Sequence, residues 1–221
     1  MPDLQPVKPD VIDEHGLPVR QLRRPEQLRA LAHPRRLQIM DLLIAEGPLT
    51  ATQCAAELGD SAGSCSYHLR QLARFGFVEE ADGGHGRNRP WRWVPLGNAI
   101  KTGDTPDERS AAEALTAVID AGKLDRIRRY HEQQTTDPWR DSASSSAWSI
   151  RVTETELLEL GSAINALLAP LQRRTFAGEN PAGSRMVDVF AYLMPRPNEQ
   201  GGPSRGATSA ATAQDGGQLD A

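Results

Sequence analysis

Apolar residues recur at helical spacing in a series of short blocks between residues 25 and 74, and the period then changes to alternation. Leu28 and Leu31 share one face of a first helix opened by Arg24-Pro25-Glu26, with proline at an early helical position. His33-Pro34 ends that helix and starts a second, whose stripe is Leu37, Met40, Leu43 and Ile44. Gly47-Pro48 stops it. Thr50 with Gln53 reads as a capping box for a third helix buried through Cys54, Ala55 and Leu58, and Gly59 ends it. Ser61 caps a fourth, running to about Arg74, with Cys65, Leu69 and Leu72 as its inner face. Phe77 to Glu80 is then extended, Asp82 to Gly86 is a turn, and Trp91 to Val94 alternates as a returning strand.

Helix, turn, helix and hairpin in this order is the plan of a winged helix-turn-helix, expected over 21–96. Residues 1–20 read as a flexible leader. Residues 105–134 read as one long helix with Ala112, Leu115, Val118, Ile119 and Ile127 on its apolar face, and Gly122 allows a bend near its middle. A serine-rich linker covers 135–147. A strand-helix-strand unit is expected over 148–196. Trp148 to Val152 alternates, Thr153 with Glu156 caps a helix to about Arg174, and Met186 to Met194 alternates again. The tail 197–221, rich in Gly, Ser, Ala and Gln, is expected to be disordered. The fold class is therefore α+β, mostly helical, with an N-terminal winged domain and a C-terminal helical and small α/β extension.

Composition adds little until charge is divided along the chain. The formal net charge is −4. Arg20 to Pro95 holds 11 Arg against 8 acidic residues, whereas the remainder holds 14 basic and 21 acidic residues. A basic segment in an acidic chain suits a duplex-reading module. Two cysteines make no disulfide framework, and no apolar run is long enough to span a bilayer, so a cytoplasmic protein without membrane contact is expected. The five histidines include no pair at i and i+4. Phosphate-loop, nucleophile-elbow and zinc-protease motifs are also missing from the chain, so neither an enzyme nor a cofactor or metal is expected.

A helix that enters the major groove needs a buried face to hold it and free first turns on the other side. The helix after Ser61 offers both. Ser61, Gly63, Ser64, Tyr67, Arg70, Gln71 and Arg74 are its candidate contacts, the small residues allowing close approach and the helix start offering free N–H groups to a phosphate. Arg87 and Arg89 at the glycine-rich hairpin tip suit a phosphate or minor-groove contact. Surface solubility is the competing reading for both sets.

Leu28 to Met40, Leu49-Thr50, Ser66 to Leu72 and Phe75 to Val78 together resemble the signature of the ArsR-like winged-helix regulators. The region from Trp148 to Pro197 also resembles a C-terminal segment of a subgroup of them, with its strand, its "T..E...L" helix and its closing Pro195-Arg196-Pro197. The resemblance implies a homodimeric transcription regulator, often a repressor, bound to a pseudo-palindromic operator and released by a metal or small-molecule effector. Metal sensors of that family carry a cysteine pair where this chain has Thr50 and Thr52, which sets it apart from metal sensing. Cys54 and Cys65 read instead as small core residues, and His68 as a structural residue at the base of the reading helix.

Two functions remain. One is a sequence-specific double-stranded DNA-binding regulator, with the 105–134 helix setting the distance between two reading helices. The other is a non-sequence-specific architectural or protein-interaction module that uses the winged fold.

Overall fold

The computed structural model describes residues 9–84, 88–133 and 137–196. The chain divides into one unit of Met1–Phe190 and a second of Ala191–Ala221, of which only 191–196 are described and have no regular structure. The expected disordered tail, 197–221, lies outside the described residues, as does Arg87.

The helical blocks form where the apolar spacing places them. Helix α1 spans Pro25–Leu31 and α2 Pro34–Glu46, the His33 side chain capping α2 by accepting from the Arg35 N–H. Helix α3, Ala51–Leu58, begins with the Thr50/Gln53 capping box. Helix α4, Ala62–Arg74, is capped by Ser61, whose hydroxyl accepts from the Ser64 N–H at 3.1 Å. Strands β3, Val78–Glu80, and β4, Trp91–Trp93, pair antiparallel as the wing, and Leu49 bridges to Trp91 beside them. The core draws on Leu28, Ile39, Leu43, Cys54, Cys65, Leu69, Leu72 and Phe77, all buried. Short apolar stripes from several elements converge there, with Phe77 the one aromatic side chain among these residues.

The leader differs from expectation. Val11–Ile12 and Pro18–Leu22 are strands, β1 and β2, joined by a turn at Gly16. Strand β2 pairs antiparallel with β1 and parallel with a further strand, β5, at Gly97–Ile100. Strand β5 lies nearly eighty residues downstream, so the local pattern around residue 20 carries no trace of the pairing.

The long helix α5, Pro106–Gln133, runs unbroken through Gly122. Its first half is already covered, with Ala111, Ala112 and Leu115 buried in the common core and Ile119 packed against it. In the second half Leu124, Ile127 and Tyr130 are exposed. Arg126 pairs with Asp41 of α2 and lies 3.4 Å from Asp188, which ties the 186–190 segment to this end of α5.

Beyond α5 the expected small α/β unit is only partly realised. Helix α6 spans Glu154–Ala177 with the Thr153/Glu156 capping box in place. Neither Trp148 to Val152 nor Met186 to Met194 forms a strand, and among the described residues both segments lie outside the two sheets. The alternation that signals a strand specifies a buried face, but a strand exists only beside a neighbour, and among the described residues neither segment pairs with one. Among the described residues no helix is long and apolar enough to cross a membrane.

Candidate nucleic-acid interface

Helix α4 is set by the turn that precedes it. Gly59 ends α3 in the left-handed region at φ 60°, turning the chain where a side chain would strain. Asp60 then organises the entry. One carboxylate oxygen accepts from the Ser61 N–H at 2.6 Å and the other from the Ser64 hydroxyl at 3.1 Å. Arg35 reaches over from α2, its guanidinium 2.9 Å from the Asp60 carboxylate and donating to the Leu58 carbonyl at 3.0 Å. The Ser61 N–H, then the Ser64 hydroxyl and Arg35, hold the Asp60 carboxyl below the usual carboxylate range. A carboxylate that stays charged and doubly bonded fixes the angle between α3 and α4, and so the direction in which α4 projects.

Helix α4 is buried along Cys65, His68, Leu69, Leu72 and Ala73. Gly63, Tyr67, Arg70 and Arg74 lie at i, i+4, i+7 and i+11 and form a single exposed stripe opposite, with Tyr67 50% exposed. No acidic residue lies on α4. Gln71 is half-buried beside the stripe. The Ser61 N–H donates to Asp60, the Ser64 N–H to the Ser61 hydroxyl and the Ser64 hydroxyl to Asp60, so a ligand at the helix start meets these two serines only by displacing those bonds. Arg74 stacks over Phe75 with its guanidinium 5.6 Å from the ring centre, which places the cation at the C-terminal end of the stripe.

The wing is less free than its sequence suggests. Arg89 donates to Glu80 at 2.5 Å, and Arg92 to Glu79 at 2.8 Å. Each arginine therefore holds a carboxylate of β3, Arg92 from the facing strand and Arg89 from the loop that leads into it, and contact with a phosphate requires an exchange of partners. Cross-strand register sets the second pair, since β3 and β4 place Glu79 beside Arg92.

Cys54 and Cys65 are free and fully buried. Burial, aided by the neighbouring Cys65, pushes the Cys54 thiol up to about 11, and burial also raises Cys65. Thiols so placed stay protonated and pack as apolar groups.

Three partnerships that shape the site could not be read from the sequence, although His68 was expected there as a structural residue. Arg20, only 4% exposed, donates to the carbonyls of Phe75 and Gly76 just past α4 and lies 4.8 Å over the Phe77 ring. Arg35 and Asp60 form the lock described above. His33 and His68 stack with ring centres 4.6 Å apart at the junction of α2 and α4. Asp60 next to a capping serine was the one feature visible locally. The other partnerships depend on residues far apart in the chain.

Residues 31–81 match the protein family described as a helix-turn-helix domain. The match runs from the end of α1, through the capped turn and α4, to the end of β3. No curated protein matches the chain. Among solved structures, a MarR family regulator from Neisseria meningitidis is similar at 14% identity and a TM-score of 0.29, over 66% of this chain and 80% of that one. The chain thus carries a helix-turn-helix domain within an α+β fold.

Proposed function

We propose that this chain is a sequence-specific double-stranded DNA-binding transcriptional regulator that acts as a homodimeric, ArsR-like repressor on a pseudo-palindromic operator inside the cell. The observation that carries the reading is the stripe Gly63, Tyr67, Arg70 and Arg74 on a helix whose entry is fixed by the Asp60 lock. Tyr67 and Arg70 take the base-edge roles, with Gln71 beside them. Arg74 takes a phosphate, and the exposed helix start at Gly63, between the capping residues Ser61 and Ser64, meets a second phosphate. Arg89, and Arg87 with it, contact the flanking backbone once Glu80 is displaced by a stronger anion.

Repression follows from occupancy: a dimer seated over two half-sites about 34–36 Å apart covers a stretch of duplex that polymerase also needs. Selection of bound genomic fragments with the purified full chain tests the reading. One motif with two-fold symmetry is expected. Uniform recovery of unrelated fragments would instead favour the architectural reading.

A further inference from the structure

We infer that Phe176 of α6 is a positioning residue for the wing: its ring holds Trp93 at the root of the hairpin, and this contact sets the direction in which the wing approaches a duplex.

A two-stranded hairpin alone is marginally stable, so its direction is fixed by whatever packs at its base. In β4, Trp91 and Trp93 alternate with Arg92, which places both indoles on the face packed against the domain core. Trp91 is held by Leu49, which exchanges two backbone hydrogen bonds with it at 2.8 and 3.0 Å. Trp93 lies opposite Val78, the first residue of β3, and the Val94 N–H beside it donates to the Phe77 carbonyl at 3.2 Å. This is where the hairpin joins the domain. The core covers the Trp93 indole only in part. The Phe176 ring meets it edge-on, with ring centres 5.0 Å apart and planes inclined at 69°. An edge-to-face pair is directional, so it fixes an angle as well as a distance. A small rotation at Trp93 is magnified at Arg89, further out along the hairpin.

The helix that carries Phe176 is itself anchored. Ala169 is buried, and Leu157, Leu160, Ile164 and Leu168 are half-buried. Ser162 donates to the Glu14 carboxylate at 3.1 Å, and Arg173, one turn before Phe176, donates to the His15 carbonyl. Both acceptors lie in the turn between β1 and β2. Strand β2 in turn sets Val19 beside Gly97, just after the wing, and its Arg20 holds the carbonyls of Phe75 and Gly76, just before it. Helix α6 therefore bears on the wing root twice. It acts directly through Phe176 and, through the leader, on the segments that enter and leave the hairpin. The effect on binding rests on the duplex-binding reading above, whereas the hold on the wing stands in the free protein.

Amide hydrogen exchange of the free full chain, paired with affinity for a labelled random-sequence duplex across a salt series, tests the assignment. Phe176→Ala is expected to speed exchange at Val78 to Glu80 and Trp91 to Val94 by about 2- to 10-fold, as loss of one aromatic pair implies, with the amides of α2 and α3 unchanged. Duplex affinity is expected to fall by a similar factor, and the slope of log affinity against log salt to become shallower as a wing phosphate contact is lost. Phe176→Tyr, which keeps the ring, is expected to restore all three. Wild-type exchange in the wing of Phe176→Ala overturns the inference, as does exchange that quickens equally throughout the domain. So does a loosened wing with affinity and salt slope unchanged, or a Phe176→Tyr protein that behaves as Phe176→Ala. Should Phe176→Ala not fold, Phe176→Leu decides, since it keeps apolar bulk without a ring edge. Faster exchange confined to the wing supports the hold, and wild-type exchange overturns it. A wild type that binds no duplex ends the regulatory reading, and exchange in the wing then decides by itself whether Phe176 holds it.

Discussion

Arg20, in the second strand of the chain, donates a 2.7 Å hydrogen bond to the carbonyl of Gly76, two residues beyond the end of α4. The same guanidinium reaches the Phe75 carbonyl at 3.3 Å and covers the Phe77 ring. The bond joins the β1-β2-β5 sheet to the turn between α4 and the wing. Burial lowers the Arg20 pKa against the opposing pull of Asp10, yet an arginine stays charged throughout the accessible range. Arg20→Ala leaves two backbone carbonyls short of a donor and is expected to cost about 2–3 kcal/mol in urea unfolding. A loss within about 0.5 kcal/mol would mean that the leader strand does not hold the helix end.

The His33–His68 stack gives the fold a pH dependence. Burial, then Arg36 and Arg35, lowers the His33 pKa; burial, then His33 and Arg36, lowers that of His68. His68 Nδ1 is buried and has no hydrogen-bond partner among the described residues. A lowered basic pKa means that the unfolded chain takes up a proton more readily than the folded one. Above about pH 6.5 the imidazoles are neutral in both states and the effect vanishes. Stability therefore falls as pH drops below that value. The urea midpoint is expected to decline from pH 7.5 to 5.5, and His68→Gln to flatten the decline. An equal slope in the variant would assign the dependence to other groups.

Much of the winged domain was legible in the sequence because its determinants are local. Thr50/Gln53, Ser61 and Gly59 act within a few residues, and the stripes of α2 to α4 repeat at the period of a helix. The leader strands were illegible because β2 is completed by β5, and only the folded chain brings Val19 beside Gly97. The candidate reading residues were found by subtraction from the buried face, which works for α4. Subtraction fails for the wing, where Arg89 looked free and Glu80 is its partner. The expected strands at 148–152 and 186–194 show the limit from the other side. Their alternation is real, but among the described residues neither segment lies in a sheet.

Glu80→Gln turns that wing pairing into a test. The substitution frees Arg89 and removes a charge that repels phosphate. Affinity for duplex is expected to rise, and the slope of log affinity against log salt to steepen by about one. Weaker binding would place the Arg89–Glu80 pair, rather than free Arg89, at the interface.

Asp60→Ala tests the turn lock, since the backbone of Ser61, the Ser64 hydroxyl and Arg35 all lose their shared acceptor. A lower urea midpoint is expected, with duplex affinity reduced further than unfolding explains. Affinity that merely follows the folded fraction would confine Asp60 to a stabilising role.

The central claim is that Tyr67 and Arg70 read base edges from α4. The most direct measurement is affinity at one fixed salt concentration for a selected fragment and for random duplex, with wild type, Tyr67→Ala and Arg70→Ala. The wild type is expected to prefer the selected fragment by at least about 10³. Each substitution is expected to remove about 1–3 kcal/mol of that preference while unfolding stays unchanged. Random-duplex binding should hold for Tyr67→Ala. Variants that keep the full wild-type preference would contradict the assignment of α4 as the reading helix.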